Sequence, residues 1–209
     1  MKPNVLVIDY RTGNSQSVSY ALTRLGVTNH VAQHPDQVGD VTHIILPGVG
    51  AAGTTMGYLA AGEWLDFLND RVLVQGMPFL GVCVGLQVLF DRSDEQRARC
   101  LGWLPGNVVA FDRTSVRVPH MGWNHVARTG DHPFAAAILP DSYFYFVNSY
   151  FAQPHETADV AGTADYDGAF AAVVARKNIM ATQFHIEKSG PSGLALLDRF
   201  TTLTPEELQ

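Results

Sequence analysis

The feature that most constrains this chain is the stretch Pro78-Phe79-Leu80-Gly81-Val82-Cys83-Val84-Gly85-Leu86-Gln87-Val88-Leu89-Phe90, an apolar strand that reaches a cysteine and passes directly into an apolar helix. A sharp bend at Cys83 is the expectation. Gly81 and Gly85 flank it, and glycine supplies the positive φ and the close backbone approach that such a bend demands. The helix opening after Cys83 would aim its free N–H groups at the sulfur, the setting in which a cysteine serves as a nucleophile. The pattern is the cysteine counterpart of the G-x-S-x-G elbow. A lone cysteine in an apolar run is more often plain core. A histidine and an acid far downstream, His185 and Glu187, move the reading toward catalysis.

A length of 209 residues suits one α/β domain spanning 1–209. Charged residues make up 16%, against roughly 25% in an average soluble chain, so a face covered by a protein partner is expected. The net charge of −6 and the lack of any Lys/Arg run argue against a nucleic-acid partner. The start of the chain reads as a strand rather than a signal peptide, and no apolar run approaches ~18 residues. No membrane partner is expected, and the location expected is cytoplasmic. Cys100 lies in a polar stretch and reads as incidental, with no disulfide to Cys83 in a reducing compartment.

Along the chain, the continuous apolar run at 5–8 reads as a strand buried on both faces, with Asp9, Tyr10 and Arg11 at its carboxyl end. Residues 17–25 carry helical spacing closed by Gly26, and 29–32 and 42–46 read as the second and third strands. In an open parallel sheet the ligand crevice lies outside the carboxyl ends of the strands. The loops after Ile8, Leu46 and Val82 are therefore expected to converge. Residues 58–74 read as helical. Beyond Leu104-Pro105-Gly106-Asn107 the chain changes character, with short strands expected at 108–111, 117–118, 124–127, 143–150, 159–163 and 170–175, joined to the same sheet. A strand at 179–184 delivers His185 and Glu187, and 190–203 closes the fold as a helix. The fold class expected is α/β, a central mostly parallel sheet with an antiparallel β-rich part in the second half.

A sulfur nucleophile needs a proton carrier, and the carrier needs an orienting acid. As residues i and i+2 of a strand end, His185 and Glu187 would share a face, with Glu187 fixing the imidazole. Backbone amides of Pro47-Gly48-Val49-Gly50 and of Val84 are candidates for an oxyanion hole, although a Pro-Gly turn alone is more often a plain loop. The absence of C-x-x-C and H-E-x-x-H spacing leaves no metal site to expect.

Asp9-Tyr10 with Gly13-Asn14, Pro47-Gly48-Val49-Gly50, Gly81-Val82-Cys83-Val84-Gly85-Leu86-Gln87, Val118-Pro119-His120-Met121-Gly122-Trp123-Asn124, Tyr143-Phe144-Tyr145-Phe146-Val147 and Gln183-Phe184-His185 follow one another in a familiar order. Over nearly its whole length the chain resembles the class I, or triad, glutamine amidotransferases. Pro119-His120-Met121-Gly122-Trp123-Asn124 is most similar to the glutaminase subunits of imidazole glycerol phosphate synthases. The resemblance implies a three-layer, flavodoxin-like fold without a cofactor. It implies that Cys83 attacks the side-chain amide of glutamine, with His185 as acid and base and Glu187 as its orienter. Gly50 and Val84 would supply the oxyanion amides, and Gln87 and Glu95 would hold the glutamine headgroup, aided by the backbone of Asn148, Ser149 and Tyr150. The implied partner is a (β/α)₈-barrel cyclase that receives ammonia and makes imidazole glycerol phosphate and aminoimidazole carboxamide ribotide, in histidine biosynthesis. Asn14, Trp123 and Asn124 would face that barrel, and the turn at 47–50 would be a partner-dependent switch.

Three positions depart from the family pattern: Ile186 stands in place of Pro, Asn148 in place of His, and Arg11 in place of Gly. Two other readings stay open. The same glutaminase could feed a synthase of amidinated sugars or of pyridoxal phosphate, or the chain could be a regulatory module with a vestigial site.

Overall fold

Apolar runs too continuous to face water on either side become the parallel heart of the sheet. The computed structural model describes residues 2–11 and 14–208. Its elements are β1 (Asn4–Ile8), α1 (Ser15–Arg24), β2 (Thr28–Ala32), β3 (His43–Gly48), α2 (Ala52–Ala61), α3 (Trp64–Leu68), β4 (Phe79–Cys83) and α4 (Val84–Gln87). There follow β5 (Arg92–Ser93), β6 (Ala98–Arg99), β7 (Gly106–Ala110), β8 (His120–His125), β9 (Ala127–Arg128), β10 (Tyr143–Asn148) and β11 (Tyr150–Pro154). The chain closes with β12 (Val160–Asp165), β13 (Ala169–Arg176), β14 (Ile179–Thr182) and α5 (Gly190–Thr202).

Strands β2, β1, β3, β4 and β14 lie side by side and parallel, and β13, β11 and β7 extend the sheet antiparallel. The parallel register Thr182↔Val82 ends β14 and β4 level with each other. That alignment brings the residues after both strands to one tip of the sheet. Strands β8 and β10 form a separate two-stranded antiparallel ribbon, not a continuation of the main sheet as expected. The stretch 143–150, expected as one strand, divides at Ser149: β10 joins the ribbon and β11 pairs with β7 and β13 in the main sheet. No strand forms at 117–118.

Helix α1 turns Val18, Ala21 and Leu22 inward, sets Arg24 in its last turn where a cation suits the helix dipole, and gives way to Gly26 at φ +73. The helical segment expected at 58–74 begins earlier, at Ala52, and is broken where Glu63 adopts φ 59. After α3 it ends in a π-helical turn, Asn69–Val74. Among the largest fully buried side chains are Trp64, Phe79, Phe90, Phe134, Phe144, Phe146, Phe184 and Phe200. Each contributes roughly 1.5–3 kcal/mol through burial. Phe144 stacks on Phe184 at 4.1 Å, which fastens the ribbon to the segment that carries His185. Among the described residues, no helix is long and apolar enough to cross a membrane.

Candidate active site

Cys83 ends β4 with φ 57 and ψ −107, a backbone conformation strained for any residue but glycine. The glycines at its sides serve space instead of dihedral freedom, which corrects the expectation from sequence. Neither Gly81 nor Gly85 has a positive φ. A Cβ on Gly81 would lie 2.6 Å from the carbonyl carbon of Gly85, and one on Gly85 would collide with the carbonyl oxygen of Leu46. The helix after the bend is also shorter than its apolar sequence predicts: α4 is a single turn, Val84–Gln87. Packing on both sides therefore holds the elbow, and the local amides after Cys83, not a long helix, face its surroundings.

His185 arrives at the same tip from the neighbouring strand. Its N–H donates to the Tyr145 carbonyl at 2.9 Å, its own carbonyl accepts from Ser189 Oγ at 2.6 Å, and Tyr145 N–H donates to that same Oγ at 3.0 Å. The backbone of His185 is thus tied to the ribbon and to the residue that precedes α5. Nδ1 of His185 lies 2.9 Å from Glu187 Oε1, with both side chains buried. The pairing does not come from strand alternation, as expected, because β14 stops at Thr182 and Ile186–Lys188 form a 3₁₀ turn. That turn folds Glu187 back onto the ring. Burial pulls the His185 pKa down, but hydrogen bonds to Cys83 and Glu187, with the charges on both, outweigh it and push the value up to about 10.

Cys83 and His185 open on one cavity of about 260 Å³. Its walls are Val49, Gly50, Val84, Gln87, Glu95, Pro119, Val147, Asn148, Ser149 and Tyr150, which include Gly50, Val84 and every residue expected to hold substrate but not Pro47 or Gly48 of the candidate oxyanion turn. Gly50 has φ +101, so any side chain there would be strained, although a Cβ would meet no neighbour. Gln87 is less available than expected, and the Asn148 amide is likewise spent within the wall. Gln87 Nε2 is committed to the Tyr150 carbonyl at 3.0 Å and to Gln183 Oε1 at 3.1 Å, and Asn148 Nδ2 also donates to the Tyr150 carbonyl at 3.0 Å. They fix the wall's shape, whereas Glu95 lines the cavity with Oε2 accepting from the Ala52 N–H at 2.9 Å. Burial raises the Glu95 pKa, and that backbone hydrogen bond opposes the rise.

Sequence reasoning missed Gln183, whose Nε2 lies 3.8 Å from the Cys83 sulfur. Its place two residues before His185, in the short stretch that follows β14, was the available signal. The loop after Ile8 does not converge on this cavity as expected. Asp9, Tyr10 and Arg11 line a different one, with Gln33, His34 and Tyr58. Among the described residues, no cluster of three His, Cys, Asp or Glu could hold a metal ion.

A buried sulfur, an imidazole with a carboxylate behind it and a partly open cavity with polar groups in its wall suit acyl transfer from a small amide. Residues 6–203 match the family of class-I glutamine amidotransferases. The chain belongs to that family. Among its relatives, the imidazole glycerol phosphate synthase subunit HisH of Rhodopirellula baltica is 42% identical over 97% of this chain and 98% of its own length. The HisH subunit of Nitrosococcus oceani is 43% identical over 95% and 97%. The solved structure of PurLQS from Thermotoga maritima shares the fold, with a TM-score of 0.75 at 20% identity over 96% of this chain and 98% of that one.

The three positions where this amidotransferase departs from its family find physical readings. Arg11 has φ 70, the left-handed backbone that glycine adopts most easily, and its N–H is caught by Asp9 Oδ1 at 3.0 Å. Ile186 is buried in the core, so it holds the turn by packing. Asn148 pairs in register with His120 and serves the Tyr150 carbonyl. The residues expected to face a partner separate sharply. Trp123 is 57% exposed, with Met121 and Tyr143 also exposed on the ribbon. Asn124 is half-buried on the side of the strand opposite Trp123, its amide donating to the Asp165 carbonyl at 2.8 Å and accepting from the His125 N–H at 2.8 Å. Asn14 is a correction, being buried ahead of α1 with neither amide atom paired among the described residues. Thr12 and Gly13, expected in the same partner-facing loop, lie outside the described residues.

Proposed function

We propose that this chain, as a single amidotransferase domain, is the glutaminase subunit of an imidazole glycerol phosphate synthase. Glutamine enters the 260 Å³ cavity with its side-chain carbonyl over Cys83. The sulfur attacks the amide carbon, and the resulting oxyanion is met by backbone amides at Gly50 and Val84. His185 gives the proton of its second nitrogen to the amide nitrogen, the C–N bond breaks, and ammonia leaves a glutamyl thioester on Cys83. Water then adds to the thioester, giving up a proton to His185, and glutamate departs with the sulfur restored. Glu187 holds Nδ1 throughout, so the other ring nitrogen serves the reaction.

The observation that carries this reading is that Cys83 and a His185 already paired with Glu187 line one cavity. The ammonia acceptor follows from the near full-length likeness to HisH subunits, which favours the histidine route over amidinated sugars or pyridoxal phosphate. The partner is a (β/α)₈-barrel cyclase docked on the face that bears Trp123, through which ammonia passes to a nucleotide acceptor. Cys83→Ala is expected to abolish glutamine-dependent synthesis by the complex while external ammonium still supports it. Glutamine hydrolysis persisting in that variant contradicts the reading, and a wild-type complex that hydrolyses no glutamine favours a vestigial site.

A further inference from the structure

Gln183 is fully buried and stands directly after β14, its backbone N–H donating to the Ala172 carbonyl of β13 at 2.8 Å. Its side-chain amide joins two parts of the site: Oε1 accepts from Gln87 Nε2 at 3.1 Å, and Nε2 lies 3.8 Å from Cys83 Sγ. The orientation of that amide follows from its neighbours. The Tyr150 carbonyl can only accept, so the end of Gln87 that meets it at 3.0 Å is the nitrogen. The same nitrogen needs an acceptor on its other side, which is Gln183 Oε1. Turning over either amide, or both, would set two donors or two acceptors face to face in a buried place. The nitrogen of Gln183 is therefore left for the sulfur.

The sulfur also lies 4.0 Å from the Val147 carbonyl, an acceptor that suits a neutral thiol. A thiolate needs donors instead, and a hydrogen bond to a charged atom is stronger than one between neutral groups. We propose that Gln183 is a catalytic residue that donates Nε2–H to Cys83 Sγ and supports the thiolate, with Gln87 fixing the amide in that orientation. The support acts twice. Before attack it raises the fraction of sulfur present as thiolate, the reactive form. Later, when water has added to the glutamyl thioester and passed a proton to His185, the C–S bond breaks, its electron pair goes to sulfur, and the same N–H meets the returning charge. The inference rests on the reading of Cys83, His185 and Glu187 as a glutaminase triad.

The titratable groups that share the cavity with the sulfur are His185, Glu95 and Tyr150, and Glu187 stands behind His185. The test uses the complex with its cyclase partner and nucleotide acceptor. Two variants are compared: Gln183→Met keeps the length of the side chain without its N–H, and Gln183→Leu removes the N–H with a stiffer, shorter chain. Synthesis from external ammonium, which needs no chemistry at Cys83, shows that each variant still folds and docks.

Both variants are expected to lower glutamine-dependent kcat about tenfold with KM for glutamine within about twofold. The pH midpoint of Cys83 alkylation by iodoacetamide should rise by about one unit in each. Wild-type kcat in Gln183→Met overturns the proposal, as does a loss of kcat with the alkylation midpoint unmoved. A raised KM with kcat unchanged also overturns it, because Gln183 would then only prop the wall that holds glutamine. One readout needs no Gln183 variant to fold: in the unsubstituted complex the side-chain ¹⁵N resonance of Gln183 should move as Cys83 titrates and stand still in Cys83→Ala, and a resonance that behaves alike in both overturns the proposal. Cys83→Ala also separates this inference from the reading beneath it. Surviving glutamine hydrolysis in that variant sinks the triad itself, whereas its loss beside an unaffected Gln183→Met sinks only the role of Gln183.

Discussion

The elbow at Cys83 and the β8–β10 ribbon both line the cavity, yet opposite means hold them in place. The elbow is backbone against backbone: Gly81 and Gly85 are pressed so closely to Gly85 and Leu46 that not even a methyl group fits. The ribbon is held by rings. The His120 imidazole is stacked between Phe146 at 4.9 Å and Tyr166 at 4.1 Å, and Phe144 rests on Phe184. Its other face leaves Met121, Trp123 and Tyr143 exposed. A nucleophile must not move, so it sits where no side chain can adjust. A surface that answers to a partner can be built from side chains that do.

The sharpest way to break that comparison is to add one carbon to the elbow. Gly85→Ala should destabilise the chain by roughly 3 kcal/mol or more, because the neighbour it strikes is backbone and cannot swing away. Urea denaturation measures it, and a loss under ~1 kcal/mol would mean that the elbow yields. On the ribbon, Trp123→Ala should leave stability nearly unchanged and weaken partner binding by about 2 kcal/mol, as truncation of an exposed aromatic anchor does. Calorimetric titration with the cyclase tests this, and a large stability loss with full affinity would make Trp123 a core residue.

The smallest effect concerns two buried histidines with opposite shifts. Burial pushes the His43 pKa down to about 4, so its neutral form belongs to the fold, and the stability it contributes is present above ~6.5 and lost as pH falls toward 4. That loss should be on the order of 1–2 kcal/mol between pH 7 and pH 5. His185, raised to about 10, contributes stability that is complete below ~6.5 and lost as pH rises through about 10. Melting temperature should therefore fall on both sides of neutrality, and Cys83→Ala should bring the alkaline fall to lower pH, because the hydrogen bond and charge of Cys83 no longer support the ring. An alkaline fall that does not move in that variant would separate His185 from Cys83.

Legibility in the sequence followed the same division. The parallel strands and the order of Cys83, His185 and Glu187 could be read because buried strands are unbroken apolar runs and because the site sits at their ends. The reason for the glycines could not, since spacing alone does not distinguish a dihedral requirement from a lack of room. The ribbon was the harder part. Residues 143–150 look like one strand, and only tertiary pairing reveals that the chain changes sheets at Ser149. Strand alternation places Asn124 and Trp123 on opposite faces, a separation that the grouping of the two in one motif conceals. Gln183 escaped notice because a glutamine at a strand end has no chemistry of its own until a sulfur lies 3.8 Å away.

One measurement bears most directly on Cys83 as the nucleophile. The complex, loaded with acceptor, is treated with an electrophilic glutamine analogue and mapped by peptide mass spectrometry. Cys100 serves as the internal control, because burial pushes its thiol up to about 11. Modification of Cys83 alone, in step with loss of glutaminase activity and prevented by glutamine, is the predicted result. Modification of Cys100, or activity lost while Cys83 remains free, would contradict it.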